Sequence, residues 1–170
     1  MPTVQVLRTY LEMRAPGELS PAPPPDARAR VERVEECPPS FFRYLYGAVG
    51  GPYQWVDRLP WTDEDIRRYL ATPGVSLWVL SLAGAPAGYF ELKSHDDGAV
   101  EIAYFGLLPE FIGRGLGKYM LSEAVREAWR RGASRVWLHT CTLDGAAALP
   151  NYRARGFRPY KEEVYSVDVR

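Results

Sequence analysis

Three glycines at alternate positions, Gly113, Gly115 and Gly117, stand with Arg114 and Lys118 where an apolar run gives way to an amphipathic one in YFGLLPEFIGRGLGKYML, residues 104–121. A strand that leads through such a turn into a helix gathers free amide N–H groups and the positive helix end at one spot, which suits a phosphate. Glycine serves there because a Cβ would hold the ligand off the amides, while Arg114 and Lys118 add charge. A tight strand-to-helix turn with nothing bound is the plainer alternative. Spacing excludes two phosphate loops. A Walker loop would need Gly at Ile112 and Ser or Thr at Tyr119, and a dinucleotide fingerprint would put its third glycine at Lys118 or Met120. The ligand is then a phosphate compound of another kind. His139 and Cys141, at i and i+2 with Asp144 close by, hold the ingredients of a thiol nucleophile. Neighbours on one strand rarely form a triad, so a core or site-lining strand stands against that reading.

The elements that would position these groups follow from periodicity and turn residues. Thr3 to Met13 reads as a strand, closed off by the proline loop PGELSPAPPPD at residues 16–26, and Ala27 to Glu36 reads as a second strand, with its type ambiguous. Ser40 after Pro38-Pro39 caps a short helix FFRYLYGAV, and Thr62 with Asp65 starts another that ends before Pro73. Val75 to Ala83 and Ala87 to His95 form a hairpin about Gly84-Ala85-Pro86, and Ala99 to Leu108 is the next strand. From Gly115, the spacing of Leu116, Met120, Ala124 and Ala128 makes a helix that stops at Gly132, with Trp129 in the core. Ser134 to Thr142 is a strand, Gly145 to Arg155 a short helix and Phe157 to Val169 the last strand. The order predicts an α/β sandwich of mixed sheet and covering helices in one domain, residues 1–170.

Composition limits the partners. Lys plus Arg and Asp plus Glu both number 21, so no overall field draws the chain to nucleic acid or a membrane surface. Between Phe111 and Tyr160, however, nine basic residues face three acids, enough to hold an anionic ligand. Cys37 and Cys141 make no disulfide framework, the start MPTVQVLRTY is no signal peptide, and no stretch reaches the length of a membrane helix. A cytoplasmic protein with reduced thiols is expected, and two histidines with two scattered cysteines predict no metal site.

VEIAYFGLLPEFIGRGLGKYMLSEAVREAW resembles the coenzyme-A-binding motif of the GNAT superfamily of N-acetyltransferases, with its paired glycines at Gly115 and Gly117. ALPNYRARGF, residues 148–157, is similar to the family's later motif of Ala, Tyr and Gly-Phe, and the two stand at the family's usual separation within residues 75–160. HTCTLD resembles a bacterial subset of the superfamily. The resemblance implies a mixed, mostly antiparallel sheet with a splayed parallel strand pair, flanked by helices. It also implies acetyl-CoA as co-substrate, held on Phe105, Gly106, Leu107 and Leu108 and on the turn from Ile112 through Gly113, Arg114, Gly115, Leu116 and Gly117 to Lys118. Two departures stand out. Ile112 occupies a position that usually holds Gln or Arg, and Gly145 one that is often Asn, so the latter's pantetheine contact is not carried over.

Acetyl transfer from a thioester needs an unprotonated amine, whereas an alkylamine has a pKa of about 10. The resemblance places a general base at Glu101, with Glu91 in GYFEL as the next candidate, a backbone N–H for the oxyanion where the strand bulges at Phe105 to Leu108, and Tyr152 as the acid for the thiolate. A solvated Glu101 and a merely packed Tyr152 are the alternatives. Seven of the chain's 22 aromatics lie between Phe41 and Trp61, more than two short helices need for a core, so Tyr44, Tyr46 and Trp55, with Glu91, are expected to wall an acceptor pocket. The acceptor is expected to be a small-molecule amine. A protein N-terminus or lysine, a non-catalytic acyl-CoA-binding module and a thiol hydrolase remain alternatives, and a homodimer stays open.

Overall fold

The computed structural model describes residues 2–169. Its elements run β1 (Thr3–Met13), β2 (Ala29–Arg33), α1 (Pro39–Gly50), α2 (Asp63–Leu70), β3 (Val75–Leu82), β4 (Ala85–Ser94), β5 (Val100–Leu107), α3 (Leu116–Arg130), β6 (Val136–Cys141), α4 (Ala148–Arg155) and β7 (Arg158–Asp168), with single 3₁₀ turns between some of them. The strands form one seven-stranded sheet in the order β2-β3-β4-β5-β6-β1-β7. Only β5 and β6 pair in parallel; the other neighbours are antiparallel. This is the mixed α/β fold expected.

Period-two alternation sorts the strand residues to two faces. On one face Phe90, Leu92, Val100, Ile102, Val136, Leu138, Leu11 and Met13 pack against the α3 stripe of Leu116, Met120, Leu121, Ala124, Val125 and Ala128. On the other, Leu77, Tyr89 and Leu108 pack against Phe42, Leu45 and Val49 of α1 and Ile66 of α2. Each fully buried Leu among these contributes about 1.5–3 kcal/mol. Trp129 packs against the first cluster, as expected.

Two details depart from the sequence reading. Helix α1 starts at Pro39 with Pro38 as N-cap, so Ser40 lies inside the first turn and caps nothing; proline's fixed φ, with no N–H to satisfy, takes that role. The β3–β4 turn is Ala83-Gly84, both left-handed at φ 51° and 88°, and β4 begins at Ala85. By contrast, Thr62 and Asp65 form the reciprocal capping box that opens α2. The proline loop is pinned to α3 and α4 by bonds from Ala22 N–H to Ser122 Oγ (2.9 Å) and from Ser20 N–H to the Arg155 carbonyl (2.9 Å).

Burial raises the phenols of Tyr46, Tyr69, Tyr89, Tyr104 and Tyr152 above their ordinary value and pushes the Cys37 thiol up to about 11. A raised pKa means that the folded chain keeps a proton the unfolded chain gives up, so stability falls as pH rises from the unfolded pKa towards the folded one. The urea midpoint is therefore expected to hold up to about pH 8.5 and drop above about pH 9, where free thiols and then phenols ionise. A midpoint flat to about pH 10.5 would contradict this burial.

Candidate functional site

The parallel ladder between β5 and β6 is only two pairs long, Val100 with Val136 and Glu101 with Trp137. Beyond it β6 stays with β1, from Val136–Met13 to Cys141–Arg8, while β5 stays with β4, from Ser94–Val100 to Gly88–Leu107. The β6-facing edge of β5 from Ile102 to Leu107 is thus left without a partner strand. Two residues oppose one where Tyr104 faces Glu91 and Ile102 faces Leu92, so Ala103 is a bulge that bends β5 at the parting. A crevice of about 1180 Å³ fills the gap. That exceeds the roughly 300–1,000 Å³ of a pocket for one drug-sized ligand.

One end of the crevice reaches the glycine turn. Gly113 and Gly115 have φ of 81° and 78°, a backbone that a side chain would strain, and the space at the Cβ position of Gly113 is open. Gly115 is the N-cap of α3, so the amides of the first turn are not spent on a side-chain cap. Gly117 is helical, and a Cβ there would meet Leu107 and Asn151 only at 3.7 and 3.9 Å. Ile112, Gly113, Gly115, Gly117 and Lys118 line this end together with Arg155, and Phe105, Gly106 and Leu107 line the strand above it. The Oδ1 atom of Asn151, whose Nδ2 reaches the Gly117 carbonyl at 3.4 Å, is shielded from solvent and without a partner among the described residues. An exposed strand edge, a shielded amide oxygen and a bare helix N-terminus among cations fit a long ligand with amides and phosphates, as coenzyme A is. Three residues expected here are placed elsewhere. Leu108 and Leu116 are buried in the two cores, leaving only their backbone near the turn, and Arg114 lies over the Phe111 ring at 5.4 Å, outside the lining.

The other end opens on the face covered by α1 and α2. Tyr46, Tyr53, Trp55, Trp61, Tyr69 and Tyr104 line it. Trp55 meets Tyr104 edge to face at 5.0 Å and sits so close to Gly50 that any Cβ there would collide with its ring. Tyr44 is on the outside, half exposed and stacked on Phe41, because α1 turns that side to solvent. Glu91 does not reach the crevice either. It is fully buried, one oxygen bound by Arg58 Nη1 (2.6 Å) and the other by the Tyr69 hydroxyl (2.7 Å). The Arg58 guanidinium is boxed by Tyr104, Tyr69, Trp61 and Phe42 at 4.0–5.4 Å from their ring centres. Both carboxylate oxygens are committed to protein donors, and neither is open to the crevice. Arg58 and Asn151 went unremarked in the sequence. The signal for Arg58 was a charged residue inside the apolar strand GYFEL, which demands a buried partner.

Between the two ends stand the candidates for proton transfer. Glu101 lines the crevice at the last rung of the parallel ladder, its Oε1 3.0 Å from His95 Nε2. Tyr152 lines it from α4, edge to face with Phe105 and Phe157, and its hydroxyl bonds no other described residue. Desolvation and then Asp144 raise its pKa, so the phenol stays protonated. His139 also lines the crevice; although solvent reaches it, desolvation and then Arg8 pull its pKa below the ordinary imidazole value. Asp144 spends Oδ2 on Thr140 Oγ1 (2.5 Å) and the Cys141 N–H (3.0 Å), so it orients a turn and not the His139 ring. His139 and Cys141 are not joined into a triad.

The described residues include no helix long and apolar enough to cross a membrane. Residues 32–157 match the model of the acetyltransferase (GNAT) family. No curated protein matches the sequence. Among solved structures, a GCN5-related N-acetyltransferase from Kribbella flavida is similar at 23% identity and a TM-score of 0.68, over 96% of this chain and 58% of that one. One from Sphaerobacter thermophilus aligns at 18% identity and a TM-score of 0.68, over 98% of this chain and 52% of that one. An aminoglycoside acetyltransferase from an uncultured soil metagenomic sample, in complex with trehalose, aligns at 17% identity and a TM-score of 0.63, over 76% of this chain and 88% of that one. The chain therefore spans little more than half the length of the first two. A family match across most of the sequence, on a sheet that parts where the glycine turn and Tyr152 meet, places this chain in the acetyltransferase (GNAT) family.

Proposed function

We propose that the protein is an acetyl-CoA-dependent N-acetyltransferase that acts on a primary amine of a small molecule, with both ligands bound at once. The observation that carries this reading is the crevice open to both faces of the sheet, with a phosphate-suited turn at one end and an aromatic wall at the other. Bound acetyl-CoA would supply the acetyl group as a thioester. The amides of the glycine turn, with Lys118, hold its phosphates, and the free edge of β5 bonds its arm as an added strand would. Glu101, fixed by His95, takes the proton of the amine as nitrogen bonds to the acetyl carbon. A backbone N–H beside the bulge supports the charge on the carbonyl oxygen. Tyr152 protonates the sulfur as the carbon–sulfur bond breaks, and exchange with solvent restores both groups. The similarity to an aminoglycoside acetyltransferase fits a small amine acceptor. A cytoplasmic setting belongs to the same proposal.

The test is thiol release from acetyl-CoA across a panel of amines, amino acids and peptides, with the product identified by mass. Tyr152→Phe is expected to lower kcat about a hundredfold, with acetyl-CoA affinity nearly unchanged, as loss of a general acid does. Glu101→Gln should slow turnover and remove the limb of the pH profile that reports its ionisation. Unaltered kcat in both folded variants would leave a coenzyme-binding module, and an acetyl group trapped on Cys141 would replace direct transfer by a covalent route. Acetylation of peptides but of no free amine would move the acceptor to protein N-termini.

A further inference from the structure

We infer that the acceptor carries a carboxylate as well as its amine, and that the Arg8 guanidinium on the β1 wall of the crevice holds it. The inference rests on the acetyltransferase reading and names its substrate class. Five cations line the crevice: Arg8, Arg58, Lys93, Lys118 and Arg155. Arg58 is neutralised by Glu91, Lys118 and Arg155 belong to the glycine-turn end, and Lys93 faces Glu101 across β4 and β5. Arg8 is different. Its nearest carboxylate, Glu163, is 4.0 Å away and already held by Lys161 at 2.9 Å and by the Tyr10 hydroxyl at 3.2 Å. Its Nη2 reaches the Tyr165 hydroxyl at 3.4 Å, the Tyr10 hydroxyl is a second and looser partner of the guanidinium, and its Nε is shielded from solvent with no acceptor among the described residues. A guanidinium set over the Tyr165 ring, at 4.7 Å, is held in place by stacking, and its five N–H donors are not all spent on the two phenols. About a third of the Arg8 side chain is exposed, so its outer N–H groups, unlike the shielded Nε, can meet a ligand acceptor.

Placement gives the acceptor its length. Arg8 pairs with Cys141 across β1 and β6, and Tyr10 pairs with His139, so Arg8 stands one cross-strand pair beyond His139, on the same face. Glu101 lies on the other side of that ring, on β5, and His139 feels opposite fields from Arg8 and Glu101. An acceptor whose cationic nitrogen approaches Glu101 while its anion approaches Arg8 is a short amino carboxylate lying across His139, with the aromatic wall left for an apolar substituent. The planar fork of Arg8 matches the two oxygens of a carboxylate.

Calorimetric titration of the protein saturated with coenzyme A tests this without turnover. Glycine, β-alanine and phenylalanine are each compared with their own carboxamide, in the parent and in Arg8→Gln and Arg8→Lys. At least one acid is expected to bind about tenfold or more tighter than its amide, the gain of one charge-assisted fork. Arg8→Gln should bring that ratio to about one, Arg8→Lys should keep part of it, and coenzyme affinity should be equal in all three. No preference for any acid in the parent, or equal weakening of acid and amide in Arg8→Gln, overturns the inference. Failure of acetyl-CoA itself to bind the parent would instead strike the coenzyme reading on which it rests.

Discussion

Replacing Glu91 with Ala is expected to destabilise the protein by about 3–5 kcal/mol, the cost of stripping one partner from a buried ion pair. The magnitude follows from what stays behind. Arg58 is almost wholly buried, its charge faces four aromatic rings, and the described residues offer it no second carboxylate at bonding distance. Ring faces contribute about 2 kcal/mol to a desolvated cation, too little to replace a carboxylate at 2.6 Å. The Tyr69 hydroxyl would lose its acceptor at the same time. Urea denaturation reads the effect, and a loss below about 1 kcal/mol would mean that the pair is wetter than its burial implies. Glu91→Leu combined with Arg58→Met is expected to recover most of the stability, because it removes the stranded charge with the partner. The aromatic wall that Arg58 props should then remain, and with it any acceptor affinity that does not depend on charge.

Gly117→Asp is expected to weaken acetyl-CoA binding several hundredfold while leaving the fold slightly more stable. Gly117 has ordinary helical φ, and a Cβ there meets its neighbours at 3.7 Å or more, so the substitution carries little strain. A carboxylate in the first turn of α3 gains about 0.3–1 kcal/mol from the helix dipole. The same charge about 4 Å from a phosphate costs about 4 kcal/mol at an effective dielectric near 20. Opposite signs in melting temperature and coenzyme affinity separate a blocked phosphate site from a broken helix. Parallel losses in both would remove the phosphate role from the turn. Gly115→Asp is the less clean test, because its φ of 78° strains any side chain and Pro25 lies 3.4 Å from the added Cβ.

Local features of this protein were legible in its sequence because their causes are local. Thr62 and Asp65 cap α2 through atoms three residues apart, and α3 follows from the spacing of Leu116, Met120 and Ala124. The glycine turn could be placed because only a backbone without Cβ fits φ near 80°. Glu91 illustrates the opposite case. Its partner Arg58 lies 33 residues away in an irregular segment, and nothing in residue spacing could join them, so a buried ion pair read as a substrate ligand. Tyr44 shows that aromatic density does not give a face: Tyr46, two residues on, lines the crevice while Tyr44 points to solvent. Arg8 looked like any charge in a strand until the sheet order put β1 beside the crevice.

That sheet order also governs how the chain must come together. The first strand made, β1, is flanked by the last two: the Leu7 N–H bonds Thr142 Oγ1 across 135 residues, and Thr3 bonds Asp168 across 165. A nascent chain emerging from the ribosome therefore holds Leu11 and Met13 without their sheet partners until β6 is out, and β1 keeps an open edge until β7 follows. Loop closure over such separations is slow, and an unpaired apolar strand is an invitation to other chains in the meantime. The half of the sheet that carries Arg8, His139 and Tyr165 is thus the half that assembles last, so that wall of the crevice is completed only when synthesis of these strands is done.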